Sequence, residues 1–377
     1  MPRTAVVLTT INQPSVIQDY LENARHYGHQ DVFFVIIGDR KSPAGCGEFL
    51  TGLKSELPIQ YLGVAEQQAW LRDYPQLDEL IPWDSVQRRN LGYLLAAQQG
   101  ADIIIAIDDD NVPLLEYDYF GQHGAVGQTL EVPVVQSSDG WFNSCSLLES
   151  QPPRSVYHRG YPVCQRWNQQ ELSWDSWRAQ VRVNIGLWLE DPDVDTITRL
   201  EEPFTVTGIH QADRKFFLSP GLWAPFNSQN TAFDVALLPA MFLITLRRTQ
   251  RGVLQGNNNF RYDDIWMSYF LKKVIDQVGG GVMIGPPHVK QARNPHDYLV
   301  DLEKELYPMQ LTNRFPALLP ALKLSADNPF ACYAELADQL PALSQELGYD
   351  QYAQSVFQET ADGMRVWLEV IQKMSLS

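Results

Sequence analysis

The chain has little cysteine, no long apolar run and fewer basic than acidic residues, and each scarcity removes a class of explanation. Its four cysteines, Cys46, Cys145, Cys164 and Cys332, are widely spaced and form no CxxC pair. Such spacing argues against a disulfide framework and against structural zinc, and it is expected of a protein of the reducing cytoplasm. The longest apolar run, "VALLPAMFLITL" at residues 235–246, is too short to cross a bilayer and contains Pro239. It reads as part of a buried helix, so no integral membrane segment is expected. The N-terminal "MPRTAVVLTTINQ" has too short an apolar core for a signal peptide. With 29 basic against 45 acidic residues the formal charge is -16. A surface that negative repels phosphate backbones, and no basic cluster offsets it, so nucleic acid is not an expected partner. No GxGxxG follows a strand, no HExxH is present, and there is no serine-hydrolase signature. "VGGGV" at residues 278–282 lacks the spacing and the Lys-Ser/Thr of a phosphate loop, and reads as a helix stop.

What is present is an ordinary globular composition, 45% hydrophobic and 20% charged, in a chain of 377 residues, long enough for one large domain or two. Short β-branched runs, "TAVVLTT", "DVFFVIIGD", "IQYLG" and "DIIIAIDDD", read as buried strands. Between them "SVIQDYLENARHYG" and "DSVQRRNLGYLLAAQQG" carry helical periodicity, with stops at Gly28 and Gly100 and a cap at Asp84 or Ser85. Continuous apolar strands alternating with helices imply a parallel sheet covered on both faces. Residues 114–230 read as long loops and antiparallel strands around a cleft. "NTAFDVALLPAMFLITLRR" and "YDDIWMSYFLKKVIDQVGGG" read as helices, and "GVMIG" as a returning strand. Beyond about residue 300 the pattern is helical. It ends in an amphipathic helix with Ala353, Val356, Phe357, Met364, Trp367, Leu368 and Ile371 on one face, for packing or for an oligomer seam.

The stretch "GADIIIAIDDDNVP" drives a strand through the core and ends it in Asp108, Asp109 and Asp110. Ligands of open parallel sheets sit beyond the carboxyl ends of the strands. Adjacent, partly buried carboxylates repel one another, and a hard divalent cation, Mg²⁺ or Mn²⁺, relieves that repulsion and can bridge to a diphosphate. The plain alternative is a solvated acidic turn. Upstream, Arg88 and Arg89 of "SVQRRN" offer guanidinium forks for a sugar or diphosphate, the alternative being a surface arginine. Asp39, ending "IIGDRKSP", suits a hydrogen bond from a base or ribose, or simply starts a turn. Asp263 and Asp264 open a helix in "FRYDDIWMSYF", where one caps and the other is free to orient a hydroxyl or act as a base. His288 and His296 flank the loop "PPHVKQARNPHDY", and either can complete a metal shell or be merely exposed.

The segments "GDRKSP", "PWDSVQRRNLGYLLAAQQGA", "IDDDN", "HRGYP", "GLWLEDPDVD", "NTAFD" and "RYDDIWMSYFLKKVIDQVGGGV" together give the chain its likeness. It resembles the reversibly glycosylated polypeptide family, which includes the plant UDP-arabinopyranose mutases, and the related STELLO glycosyltransferase-like proteins. The resemblance implies a GT-A-like, Rossmann-like α/β fold with a mainly parallel central sheet, in which residues 1–305 form the catalytic domain and 306–377 a helical C-terminal extension. It implies a divalent metal and a nucleotide-sugar donor, commonly UDP-linked. Asp108, Asp109, Asp110 and, approximately, His288 are thereby assigned to metal. Thr9, Asp39, Arg88, Arg89, Asn90 and Asn230 are assigned to the nucleotide sugar. Arg159 of "HRGYP" corresponds to the reversibly glycosylated arginine, with Asp263 and Asp264 as its catalytic partners. The chain departs from the family before "GLWL", where Asn184-Ile185 stand for a serine and histidine, and near Asn294-Pro295, where a histidine is displaced.

The expected activity is cleavage and re-formation of the anomeric bond, as in a pyranose/furanose mutase. Transfer of the sugar to a separate acceptor, or nucleotide-sugar binding without catalysis, are the alternatives.

Overall fold

The structure, a computed structural model, describes residues 2–53, 57–246, 260–294 and 296–376. The first third alternates as the apolar runs predict. It contains β1 (Thr4–Thr9), α1 (Ile17–Tyr27), β2 (Val32–Ile37), α2 (Cys46–Gly52), β3 (Ile59–Leu62), α3 (Val64–Leu71), α4 (Pro75–Leu80), α5 (Arg89–Gln98) and β4 (Ile103–Ile107). Helix α1 stops where Gly28 turns left-handed at φ 76°, a conformation that glycine adopts without steric cost. Before α5, a 3₁₀ turn at Val86–Arg88 is capped by Ser85, whose hydroxyl accepts from the Gln87 N–H. The α5 axis lies close on β1. A methyl group at Gly92 would stand 2.5 Å from Val7 Cγ1.

The middle of the chain carries β5 (Asn111–Pro113), α6 (Tyr119–His123), β6 (Thr129–Ser137), β7 (Leu148–Gln151), β8 (Leu172–Ile185), β9 (Trp188–Glu190), α7 (Thr196–Glu201), β10 (Thr205–Ile209), β11 (Phe216–Leu218) and β12 (Thr231–Asp234). It closes with α8 (Asp263–Val278), β13 (Gly281–Ile284), β14 (Val289–Gln291), α9 (Tyr298–Thr312), α10 (Phe315–Ala321), α11 (Pro329–Glu346) and α12 (Gln351–Lys373). The main sheet has the order β13-β11-β6-β8-β12-β4-β1-β2-β3. Strands β4, β1, β2 and β3 are mutually parallel, whereas β12 is antiparallel to β4 and β8, and β8 is antiparallel to β6. A smaller sheet, β5-β14-β9-β10-β7, stands beside it. This is the α/β class expected, with a Rossmann-like parallel half and a helical C-terminal region.

One expectation changes. Residues 231–246 form no long helix: β12 is followed by a 3₁₀ turn at Val235–Ala240, with Asp234 accepting from the Ala236 N–H at 2.9 Å. Pro239 has no N–H to continue an α-helix, and β12 is held by its pairing with β4 and β8. Arg247 and Arg248, the end of that expected helix, lie outside the described residues. The apolar face of α12 is consumed within the chain. Trp367 stacks on Phe242 at 5.7 Å and donates its indole N–H to the Leu238 carbonyl at 3.1 Å, and Phe357 stacks on Trp266. The expected boundary between residues 305 and 306 falls inside α9. Among the described residues no helix is long and apolar enough to cross a membrane.

Candidate active site

A cleft of about 560 Å³ opens at the carboxyl ends of β1, β2 and β4, where the parallel half of the sheet directs its loops. Thr9, Asp39, Arg88, Arg89, Asp108, Asp109, Asp110, Arg159, Asp263 and Asp264 all line it. One short segment and one helix start therefore meet residues separated from them by most of the chain.

The acidic triplet divides its labour. Asp108 is paired with Arg89 and also accepts from the Gln229 amide. Burial raises its carboxyl above the usual range although Arg89 opposes the shift. Asp109 accepts from the Thr10 hydroxyl at 2.6 Å and from Asn12 at 3.0 Å. Burial, followed by repulsion from Asp108 and Asp109, pushes Asp110 up to about 7 against the opposing charge of Arg293. Arg89 is 1% exposed and is no surface arginine. Its Nη1 donates to the carbonyl and hydroxyl of Ser228 at 2.7 Å, and its Nη2 to Thr9 Oγ1 at 3.2 Å. Burial works against its charge, but Asp108 outweighs burial and holds it protonated. Arg88 is as deeply buried. Its Nε donates to Gln67 at 2.6 Å, its guanidinium carbon lies 3.5 Å from the Trp83 ring centroid, and burial lowers its pKa to about 10. Asp39 accepts from the N–H groups of Arg40 at 2.7 Å and Ser85 at 3.2 Å, which makes it the turn-former of the β2 end as well as a wall of the cleft.

The opposite wall is built around Arg159. Its Nε and Nη2 form a bidentate pair with Asp193 at 2.8 and 2.9 Å, Nη2 reaches Asp264 at 3.1 Å, and Nη1 donates to the Arg261 carbonyl. Burial would discharge the guanidinium, yet the two aspartates raise its pKa well above the ordinary value. Burial would likewise raise Asp193, but Arg159 and then His158 hold it far below the usual carboxylate range. The two acids opening α8 have separate situations. Asp264 is committed to Arg159 and to the Ser228 N–H at 3.2 Å. Asp263 is 3% exposed, and its Oδ2 has no hydrogen-bond partner among the described residues. Burial, followed by repulsion from Asp264, pushes Asp263 up to about 8, so it holds a proton at neutral pH.

Three assigned residues stay outside the cleft. Asn90 is clipped to Leu243, donating to its carbonyl at 2.9 Å and accepting from its N–H at 2.8 Å. Asn230 is fully buried, accepts from Tyr119 at 3.0 Å and donates to the Pro287 carbonyl at 2.9 Å. His288 cannot ligate metal as placed. Its Nδ1 accepts from the Leu187 N–H at 3.1 Å, and its Nε2 faces the Ala212 carbonyl at 2.8 Å. It is His296 that reaches the cleft, bonded to Asp301 at 2.8 Å. Sequence reasoning missed Asp193, Asn227, Ser228 and Gln229. Asp193 lies in "GLWLEDPDVD", so a search for a carboxylate partner of Arg159 in that acidic stretch was the available signal.

Among the described residues no group of three His, Cys, Asp or Glu side chains is gathered to hold a metal ion by itself. The donor set fits a different arrangement. Mg²⁺ and Mn²⁺ sites of nucleotide enzymes commonly use one or two carboxylates and take their remaining oxygens from phosphates and water. Asp110, whose ionised form is opposed by burial and by its two acidic neighbours, suits that role, with Asp109 beside it.

Comparison with known proteins agrees with the segments quoted above. UDP-arabinopyranose mutase 3 of Arabidopsis thaliana is 28% identical over 295 residues, covering 76% of this chain and 72% of that protein. UDP-arabinopyranose mutase 1 of Oryza sativa subsp. japonica is 27% identical over 300 residues, covering 77% and 72%. Among solved structures, a mannosyltransferase from Pyrobaculum calidifontis in complex with GDP-Man and Mn²⁺ is 13% identical and covers 99% of this chain and 87% of that one, at a TM-score of 0.36. The sequence model of the family described as "Reversibly glycosylated polypeptide" matches residues 75–375, and the chain belongs to that family.

Proposed function

We propose that the protein is a nucleotide-sugar enzyme of the UDP-sugar mutase type, which breaks and re-forms the anomeric C–O bond of its donor. The observation that carries this reading is the meeting, around one cleft, of an acidic strand end with a buried arginine–carboxylate network and a protonated aspartate. The first suits a metal-held pyrophosphate, and the second suits a sugar whose oxygens need a proton and whose anomeric carbon needs a partner.

In this reading Asp110 and Asp109 would hold a divalent cation, which when bound would supply neutralisation of the charge on the departing diphosphate. Arg89 keeps Asp108 in place. Arg88, whose Nη2 is buried without a hydrogen-bond partner among the described residues, faces the nucleotide end. Asp263 gives a proton to a sugar oxygen and takes it back. Two routes then separate. In the adduct route the C1–O bond to the diphosphate breaks, a C1–N bond forms to Arg159, and the proton displaced from that nitrogen passes to Asp264, 3.1 Å away. The ring C1–O bond then opens with a proton from Asp263 going to the freed oxygen, another hydroxyl closes on C1 and returns a proton to Asp263, and displacement of Arg159 by the diphosphate oxygen, with Asp264 giving back its proton, returns the isomer. Arg159 is firmly protonated, so this route requires the proton transfer to accompany bond formation. In the transfer route a separate acceptor takes the sugar and Arg159 only orients it.

The test is incubation of the purified protein with UDP-arabinopyranose and Mn²⁺, without acceptor, followed by chromatography of the nucleotide sugars and intact mass measurement. A furanose isomer supports the mutase reading, and a sugar adduct mapped to Arg159 supports the adduct route. Tight UDP binding with no donor consumed, with or without metal and acceptor, sinks the enzyme reading in favour of a binding partner.

A further inference from the structure

Three consecutive residues before β12 touch the charged groups of both cleft walls. Asn227 Nδ2 donates to Asp193 Oδ2 at 2.7 Å. The Ser228 N–H donates to Asp264 at 3.2 Å, while its carbonyl and hydroxyl accept from Arg89 at 2.7 Å. Gln229 Nε2 donates to Asp108. The register explains the position. Strand β12 runs antiparallel to β4 with Thr231 beside Ala106, so the chain entering β12 lies next to the carboxyl end of β4, where the acidic triplet begins.

The segment is held firmly at its far end. Asn230 has a positive φ of 51°, uncommon for a residue other than glycine, and such a conformation persists where the surroundings over-determine it. Here the surroundings are Tyr119 and His123, which meet its Oδ1 at 3.0 and 3.1 Å, and the Pro287 carbonyl, which meets its Nδ2 at 2.9 Å. The Thr231 hydroxyl closes the turn on the Asn227 carbonyl at 2.9 Å. Asn227 and Ser228 are 0% and 2% exposed. With adjacent Cα atoms only about 3.8 Å apart, a shift at Gln229 is transmitted to Ser228 and Asn227 rather than absorbed.

The geometry points to Asn227 and Gln229 as positioning residues that couple the pyrophosphate end of the cleft to its sugar end. The inference rests on the nucleotide-sugar reading and adds the element through which the two halves of that site feel each other. Of the two walls Asn227 meets the Arg159–Asp193 side and the Gln229 side chain meets Asp108, and the two residues are joined directly, the Gln229 N–H donating to Asn227 Oδ1 at 3.1 Å.

The experiment compares the wild type, Asn227→Ala, Gln229→Ala and the double variant, reading the Kd for UDP with Mn²⁺ by calorimetry and donor turnover at saturation. Each protein is studied at a temperature where its melting curve shows it fully folded, so lost stability does not imitate coupling. Asn227→Ala is expected to weaken UDP binding by roughly three- to tenfold, although UDP carries no sugar, and the double variant to fall short of the product of the singles by about threefold or more. If Asn227→Ala does not fold, Asn227→Ser takes its place in the cycle. Unchanged UDP affinity in the Asn227 variant, or effects that multiply independently, overturns the coupling alone. A wild-type protein that neither binds UDP nor consumes donor overturns both the coupling and the reading beneath it.

Discussion

Replacing Asp263 by asparagine should stabilise the protein at alkaline pH while stopping turnover. Asp263 is 3% exposed, its Oδ2 has no hydrogen-bond partner among the described residues, and burial with Asp264 beside it raises its carboxyl from the ordinary 3.8 to about 8. A carboxyl whose pKa is higher in the folded than in the unfolded chain binds more protons when folded, so its contribution favours folding at low pH. That contribution is fully present below about 4 and is lost as pH rises to about 8. The slope within the window approaches roughly 1.4 kcal/mol per pH unit, giving about 3 to 4 kcal/mol between about pH 5 and about pH 8. Asparagine has nearly the shape of the protonated acid and does not titrate, so the variant lacks this loss. Wild type and Asp263→Asn should therefore match near pH 5 within about 1 kcal/mol and diverge by about 3 kcal/mol in favour of the variant near pH 8. Guanidinium unfolding at four pH values reads this directly. Equal pH slopes for the two proteins, or a variant less stable at pH 8, would refute the assignment. Turnover of the variant should fall by roughly 10²- to 10⁴-fold if Asp263 carries the proton.

Three further outcomes follow from the same structure. Asp110→Asn should abolish the Mn²⁺-dependent part of UDP binding while leaving the weaker metal-free part, measured by calorimetry with and without Mn²⁺. Retained metal dependence would move the cation site elsewhere. Arg159→Ala should eliminate both isomerisation and adduct mass while UDP binding stays detectable; leaving Asp193 buried and unpaired should also cost about 3 to 5 kcal/mol of stability, read by denaturation. Gly186→Ala should impair folding, because its new methyl group would stand 1.9 Å from the Pro287 carbonyl oxygen and 2.1 Å from Asn230 Nδ2. A soluble variant with an unchanged melting temperature would show that this corner can relax.

The rim of the site was legible because its signals are local. The run "DIIIAIDDD" contains both the buried strand and the charge it carries to the sheet's edge, and "RYDDIWMSY" contains a helix start with its two acids. Helix α12 was legible from the spacing of its apolar face. The region around Val235–Ala240 was misread because its apolar run looks the same in a buried turn as in a buried helix, and pairing with β4 and β8 decided the preceding residues. Asn90, Asn230 and His288 illustrate the opposite limit. A polar side chain beside a motif looks like a ligand contact until the backbone groups it satisfies in the core are seen.

By itself, then, the amino-acid order determined the alternation of strands and helices, the acidic strand end and the family. Each depends on periodicity or on residues a few positions apart. The tertiary structure decided which charges meet. Arg159 finds Asp193 across 34 residues and Asp264 across 105, and Gln229 reaches Asp108 across 121. These pairings, and the burial that makes Asp263 hold a proton while Asp193 stays ionised, depend on distance and solvent exclusion in three dimensions, which arise only when the two walls close on one cleft.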